Sequence, residues 1–343
     1  GWGVLGASQI AAQRFIPALR RQPPADRTRE VAGAWVAALF SHNERHGRQF
    51  AGANRIPTFA LNLADLLDRR DVHAVYISSH PRRHYALALA ALVAGKHVLC
   101  EPPLALTQTE ARILVDSAAD RGLILAVNYV ARANPAVRTL RQLLRDEMLG
   151  DILGGRVRNV APLPPQQQSW RLRPNGGGAI LDRTAHDVDL LRFLFGDEIA
   201  LLYATAGQSI LSPTPLPQVE EEVVAIVQLR RSKIHLQVHD AFFLNHSPSL
   251  VELGGANGNA IVHHWIGGQG TPRVAIQRHK HQTIVSTGEF DAYWLAIYDF
   301  QRAITTGARP LATGEDGVQN LAVIHALQRS IREKLPIRVG HSG

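Results

Sequence analysis

The chain has 343 residues, of which 45% are hydrophobic and 19% charged, a soluble globular composition with room for two cores and no apolar run long enough to cross a membrane. Lys and Arg outnumber Asp and Glu by 37 to 29, a formal net charge of +8. The basic residues are scattered in pairs such as Arg20-Arg21 and Arg82-Arg83, so the charge suits a phosphate-bearing small molecule better than nucleic acid. The single cysteine, Cys100, rules out an internal disulfide and a cysteine-based zinc cluster and leads to the expectation of a reducing compartment, the cytoplasm.

Trp2 to Leu5 is a short apolar run ending in Gly6-Ala7-Ser8-Gln9-Ile10-Ala11, and an amphipathic helical pattern follows to about residue 20. In a dinucleotide-binding turn the first glycine makes the turn, the second admits the pyrophosphate to the backbone, and a third small residue lets helix pack on strand. Gly6 and Ala11 fill the first and third roles, with Ser8 in the middle, so Gly6, Ser8, Gln9 and Ile10 are candidate cofactor contacts. Further strands are expected near 32–40, 74–79, 97–100 and 123–128, and helices near 44–51, 63–69, 82–94 and 109–121. This alternation predicts a parallel sheet covered on both faces. Thr107 and Glu110 have the spacing of a capping box and are read as a structural helix start.

The end of the second strand reads Phe40-Ser41-His42-Asn43, with no acid. A carboxylate there would accept from the ribose hydroxyls of NAD and repel a 2′-phosphate, so Ser41, with Arg45 and Arg48 nearby, leans toward NADP, with NAD as the alternative. His42 is a candidate for stacking on adenine.

After Asn128 a helix to about 148 and a strand over 151–159 lead into a loop rich in Pro and Gln. The stretch Gly176-Gly177-Gly178-Ala179-Ile180-Leu181-Asp182-Arg183-Thr184-Ala185-His186 then opens a helix. Asp182 and His186 are four residues apart, neighbours on an α-helix, and Asp189 continues the stripe. An imidazole with a pKa near the working pH suits removal of a proton from a carbinol, with the carboxylate orienting it. On a surface helix the same pair would be merely solvated. Strands near 200–207, 220–229, 233–240, 249–253, 260–264 and 274–277, then helices over 292–306 and 315–332, predict an α+β second half. No metal site is expected: the histidines lack a His-Glu-x-x-His spacing, and His263 and His264 would point to opposite faces of a strand.

Three segments, WGVLGASQIA at 2–11, AGKHVLCEPPLALT at 94–107 and GGGAILDRTAHDVDLLRFLFG at 176–196, together resemble the glucose-fructose oxidoreductase, inositol dehydrogenase and MocA (Gfo/Idh/MocA) family over nearly the whole length. The resemblance implies a Rossmann dinucleotide-binding domain over 1–127 and, over 128–343, an α+β domain with an open, mostly antiparallel sheet for substrate binding and homo-oligomer contacts. It also implies a dehydrogenase acting on sugars, polyols or cyclitols through nicotinamide, with His186 as proton acceptor or donor and Asp182 on the substrate. Ser79, His80, His84 and Glu101 fall where the nicotinamide is expected, and Trp170 and Arg171 where they would wall the substrate pocket; the bland alternatives are a helix-start histidine for His84 and core for Trp170. Neither a membrane nor a nucleic acid is implied as a partner.

One position departs. The family usually reads Glu-Lys-Pro where this chain reads Glu101-Pro102-Pro103, and proline has neither charge nor a proton to give. Either another residue, such as Arg82, Lys96 or Arg171, supplies the charge, or the substrate needs none, or the redox chemistry is altered. The alternatives in that last case are a nucleotide-binding protein without turnover and a redox-neutral lyase or glycosidase using held NAD.

Overall fold

The computed structural model describes residues 1–21, 33–174, 176–207, 210–211, 219–266, 271–288 and 290–340. The start of the second expected strand, at Ala32, lies outside the described residues. Contacts gather Gly1–Tyr129 with Asp291–Val318 into one compact unit and Val130–Phe290 with Gln319–Gly343 into another.

The first unit is built on β1 (Trp2–Leu5), β2 (Val36–Phe40), β3 (Phe59–Ala60), β4 (Ala74–Ile77), β5 (His97–Cys100) and β6 (Leu125–Val127). All pair in parallel, in the order β3-β2-β1-β4-β5-β6, the order of a dinucleotide-binding Rossmann sheet. Burial is continuous along β1, β2 and β4, as expected of strands covered on both faces. The covering helices are α1 (Ile16–Arg20), α2 (Glu44–Ala53), α3 (Leu63–Leu67), α4 (His84–Val93) and α5 (Gln108–Asp120). A π-helical turn, Ala11–Phe15, precedes α1 and places Phe15 flat against Tyr76 of β4, ring centroids 3.8 Å apart. The capping box at the head of α5 forms as expected: Thr107 accepts from the Glu110 amide and Glu110 accepts from the Thr107 amide.

The second unit holds a nine-stranded sheet of β7 (Ile152–Val160), β8 (Ile199–Ala206), β9 (Glu222–Leu229), β10 (His235–Ala241), β11 (Leu250–Gly255), β12 (Gly258–His263), β13 (Arg273–Arg278), β14 (His281–Ser286) and β15 (Ile337–Arg338). Its order is β14-β13-β12-β11-β7-β10-β9-β8-β15. Every pairing is antiparallel except β7 with β10, so the sheet is mixed but mostly antiparallel. The alternation of buried and exposed residues along β9 marks one covered and one open face. Helices α6 (Pro135–Arg145) and α8 (Ala185–Phe195) pack together, α8 against β7; a single turn, α7 (Gln168–Arg171), lies between them in sequence.

Two helices stand between β14 and β15, α9 (Ala292–Thr306) and α10 (Gly314–Glu333). The sequence reading gave all of 128–343 to the second domain, whereas α9 belongs to the first unit, where Phe300 packs on the Trp2 ring at 5.3 Å. The following segment extends the edge of the parallel sheet, the Val127 amide donating to the Ala312 carbonyl at 3.1 Å. The sequence reading also ended the sheet at 277. The polar strand β14, joined to β13 through His279 at φ 55°, adds a further edge.

Candidate functional site

In the first unit, the site residues gather at the carboxyl ends of the strands. Gly6 ends β1 at φ 123°, and a Cβ there would come within 2.7 Å of the Ser79 amide, so only glycine permits β1 and β4 to approach this closely. Ser8 takes the cap of the following helix: its hydroxyl accepts from the Ala11 amide at 3.1 Å and donates to the Ser78 hydroxyl at 2.7 Å. Gln9 and Ile10 lie exposed beside it.

Ser41 is part-buried just past β2, and His42 is exposed, edge-on to Phe40. Arg48 is paired with Glu44 at 2.8 Å, whereas Arg45, one residue into α2, is exposed. The sequence reading missed His46, whose Nε2 lies 3.0 Å from the Ala7 carbonyl and ties α2 to the glycine turn.

Ser79 follows β4, and its hydroxyl is buried with no hydrogen-bond partner among the described residues. His80 caps the next turn, accepting from the Arg82 amide at 3.2 Å, and burial with nearby His84 and Arg82 holds its pKa down. His84 is 1% exposed, with Nδ1 2.7 Å from the Pro103 carbonyl and Nε2 2.9 Å from that of Ser79. It therefore clamps two loops together rather than presenting an edge to a cofactor.

Glu101 accepts on one oxygen from Tyr76 at 2.5 Å, Asn128 at 2.6 Å and Tyr293 of α9 at 3.2 Å. Burial raises its pKa against the pull of these donors, and burial and the carboxylate push both tyrosines up. The next peptide, Pro102-Pro103, is cis. Lys96 is not a substitute for the absent lysine. It heads the amino end of β5, donating to the carbonyls of Arg69 at 3.0 Å and Val72 at 2.8 Å. Arg82 is exposed.

In the second unit, the glycine triplet has a specific purpose. A Cβ on Gly177 would lie 2.5 to 2.6 Å from the carbonyl oxygens of Trp170, Arg171 and Arg173, and one on Gly178 (φ 99°) would overlap the Glu220 carboxylate. The missing side chains let α7 fold over the entry to the helix, where the Gly178 amide donates to the Arg171 carbonyl at 2.8 Å. Glu220, absent from the sequence expectations, accepts from the Ile180 amide at 3.2 Å and from the Ala179 amide on its own carbonyl at 2.8 Å. Burial raises the pKa of its carboxyl.

The helix is not α-helical from its start, as the spacing argument assumed. Ile180–Thr184 forms a π-helical turn, and α8 proper begins at Ala185. Asp182 is held by Arg171, Nε to Oδ1 2.6 Å, and the guanidinium stacks 4.5 Å over Trp170. His186 is part-buried. Desolvation holds its pKa below the usual value, while the carboxylates of Asp182 and Asp189 pull it back up. Asp189 is held by Arg132 in a two-pronged pair, 2.8 Å from Nε and 2.6 Å from Nη2, and accepts from Asn320 at 3.0 Å.

Asp187 of α8 and Asp240 of β10 are two further carboxyls, both 0% exposed. Thr184 donates to Asp240 at 2.5 Å and Asn159 to Asp187 at 3.2 Å. Two adjacent carboxylates in a dry core cannot both ionise, so Asp187 keeps a proton and donates it to Asp240, whose own pKa is raised to about 6. Both pKa values lie above those of the unfolded chain. The pair's stabilisation is therefore complete below about pH 4 and is lost as pH rises through about 6 and beyond. Asp187→Asn keeps the donor permanently, so its melting temperature relative to wild type should rise steadily from pH 4 to pH 8; a constant difference would refute the shared proton.

This strand order and glycine turn, beside a second unit that carries an acid and an imidazole on a glycine-headed helix, define the class of Rossmann-type oxidoreductases. Residues 1–129 match the model of the "Oxidoreductase family, NAD-binding Rossmann fold", and 141–339 that of the "Oxidoreductase family, C-terminal alpha/beta domain". The chain belongs to the Gfo/Idh/MocA oxidoreductase family. It is 34% identical over 323 residues to the 1,5-anhydro-D-fructose reductase of Ensifer adhaerens, covering 94% of this chain and 93% of that one. An aldose-aldose oxidoreductase from Caulobacter crescentus, in complex with glycerol, shares the fold with a TM-score of 0.85 at 22% identity, over 98% of this chain and 99% of that one. A 3-ketoreductase from Actinomadura kijaniata, in complex with NADP and TDP-benzene, does so with a TM-score of 0.83 at 24% identity, over 96% and 97%.

The first unit fits a dinucleotide: the glycine turn opens on a helix start, the residue just past β2 is Ser41 rather than an acid, and the buried Ser79 hydroxyl has no hydrogen-bond partner among the described residues.

Proposed function

We propose that this oxidoreductase transfers a hydride between a nicotinamide and a sugar-derived, polyol or cyclitol alcohol or carbonyl, with His186 as acid/base and Asp182 binding the substrate. The observation that carries the reading is the Asp182 and His186 pair on the glycine-headed helix, in a chain similar over 94% of its length to a reductase of a sugar ketone. A bound nicotinamide nucleotide supplies or accepts the hydride. The chain's residues do the rest: Gly6, Ser8, Gln9 and Ile10 cradle phosphate, Ser79 and His80 border the nicotinamide, and Trp170 and Arg171 wall the substrate. His186, kept neutral by burial, takes the carbinol proton in oxidation and returns it in reduction.

The test is nicotinamide oxidation over a panel of keto-sugars and inosose-type ketones. NADPH should bind more tightly than NADH by about tenfold, which is about 1.4 kcal/mol, and Ser41→Asp should reverse the order. No turnover with any carbonyl, despite tight nucleotide binding, would favour the second reading, a nucleotide-binding protein, for which Pro102 is the supporting observation.

We also propose a homo-oligomer formed through the open sheet face, supported by its exposed Tyr203, Val224 and Ile226. A cytoplasmic site of action is supported by the lone, buried Cys100. Among the described residues no helix is long and apolar enough to cross a membrane.

A further inference from the structure

We infer that Arg171 is a substrate-contacting, specificity-determining residue. Anchored through Nε on Asp182, it donates from its remaining guanidinium nitrogens to one substrate oxygen while Asp182 accepts from the hydroxyl next to it. The pair thereby selects a sugar or polyol whose reacting carbon neighbours a free hydroxyl. This rests on the oxidoreductase reading above and deepens it.

The backbone of α7 is held at the helix entry, because Gly177 lies against its Trp170 and Arg171 carbonyls and that of Arg173 just beyond, and the Gly178 amide donates to the Arg171 carbonyl at 2.8 Å. The guanidinium plane is then fixed on two sides, by Trp170 at 4.5 Å and by Asp182 at 2.6 Å. A charged fork held this way loses little further freedom on binding a ligand.

The second step is capacity. Nε is on Asp182 and Nη1 lies 3.5 Å from the Gln167 carbonyl, at the limit of a hydrogen bond, while Nη2 has no acceptor among the described residues. Asp182 likewise engages Arg171 through Oδ1 and leaves Oδ2 for a donor. Both side chains are reachable, at 25% and 19% exposure. Three other arginines around the helix are committed. Arg183 donates to the carbonyls of Asn159, Ala161 and Ala241, Arg132 holds Asp189, and Arg192 holds Glu198 and Asn320.

The third step is chemistry. A guanidinium stays charged at every working pH, so it can support negative charge on the reacting oxygen, which Pro102 cannot do. A donor and an acceptor side by side match two adjacent oxygens, one accepting and one donating, and a lone carbonyl would leave Asp182 unsatisfied.

The experiment takes the keto-sugar turned over fastest in the panel and its analogue lacking the hydroxyl on the adjacent carbon. Wild type should prefer the hydroxylated sugar by about 100-fold or more in kcat/KM. Arg171→Gln should lower kcat/KM on that sugar by about 100-fold and shrink the preference below about tenfold. Its affinity for NADPH, measured by fluorescence titration, and its melting temperature should stay at the wild-type values. Arg171→Lys, which keeps charge but not the fork, should recover rate more than discrimination. Unchanged discrimination in both variants would overturn the inference, as would parallel loss of nucleotide affinity and melting temperature, the mark of a structural role. If wild type reduces no carbonyl at all, the oxidoreductase reading fails first and the inference falls with it.

Discussion

His186→Ala is expected to lower kcat by about 10²- to 10⁴-fold while leaving the affinity for NADPH unchanged. The imidazole belongs to the second unit, whereas the residues suited to the nucleotide lie in the first, so its loss removes proton transfer and little else. The pH dependence gives an independent check. Desolvation holds the His186 pKa below the usual value near 6.5, against the pull of Asp182 and Asp189, so the ring is neutral at neutral pH. Alcohol oxidation needs that neutral form, and its rate should fall only as pH drops below about 6.5. Carbonyl reduction needs the protonated form and should gain toward acid. In the alanine variant both limbs should disappear. Nucleotide affinity that falls with activity, or a limb that survives the substitution, would remove His186 from the chemistry.

What the sequence shows and what it hides follow from the range of each interaction. The turn at Gly6 and Ser8, the capping box at Thr107 and Glu110, and the Asp182 and His186 spacing are local, set by residues a few positions apart, and could be read directly. Glu220 could not be found, because it reaches the helix of Asp182 and His186 across 40 residues of chain and its trace in the sequence is the glycine at 178 that makes space for it. Asp240 is set opposite Asn159 by the register of β10 on β7, Asn159 donates to Asp187 of α8, and Tyr293 reaches Glu101 across 192 residues. No periodicity carries that information. The strand β14 was hidden for a different reason: with almost every side chain exposed, it has no apolar alternation to betray it. The candidate site was thus legible in the groups proposed to react and illegible in the residues that hold them.

Arg132 belongs to that second category, and its removal is expected to have the largest effect on stability. It stands in the segment between Asn128 and α6, and it meets Asp189 of α8 through two hydrogen bonds, of 2.6 and 2.8 Å, with the side chains 7% and 1% exposed. An exposed pair would contribute about 0 to 1 kcal/mol. Here Arg132→Leu leaves a carboxylate in the core with Asn320 as its remaining donor among the described residues, and the expected loss is about 3 to 5 kcal/mol. In a unit of this size that lowers the melting temperature by roughly 10 °C. The charge, not the lost packing, causes most of this loss, so Arg132→Leu with Asp189→Asn should recover more than half of it. Denaturant unfolding of the three variants separates the contributions, and a single-variant loss near 1 kcal/mol would mean that water already reaches the pair. Activity supplies a further readout, because the Asp189 carboxylate also acts on His186. Freed from Arg132 it should pull the His186 pKa upward, moving the acid limb of alcohol oxidation to higher pH, whereas Asp189→Asn should move it the other way.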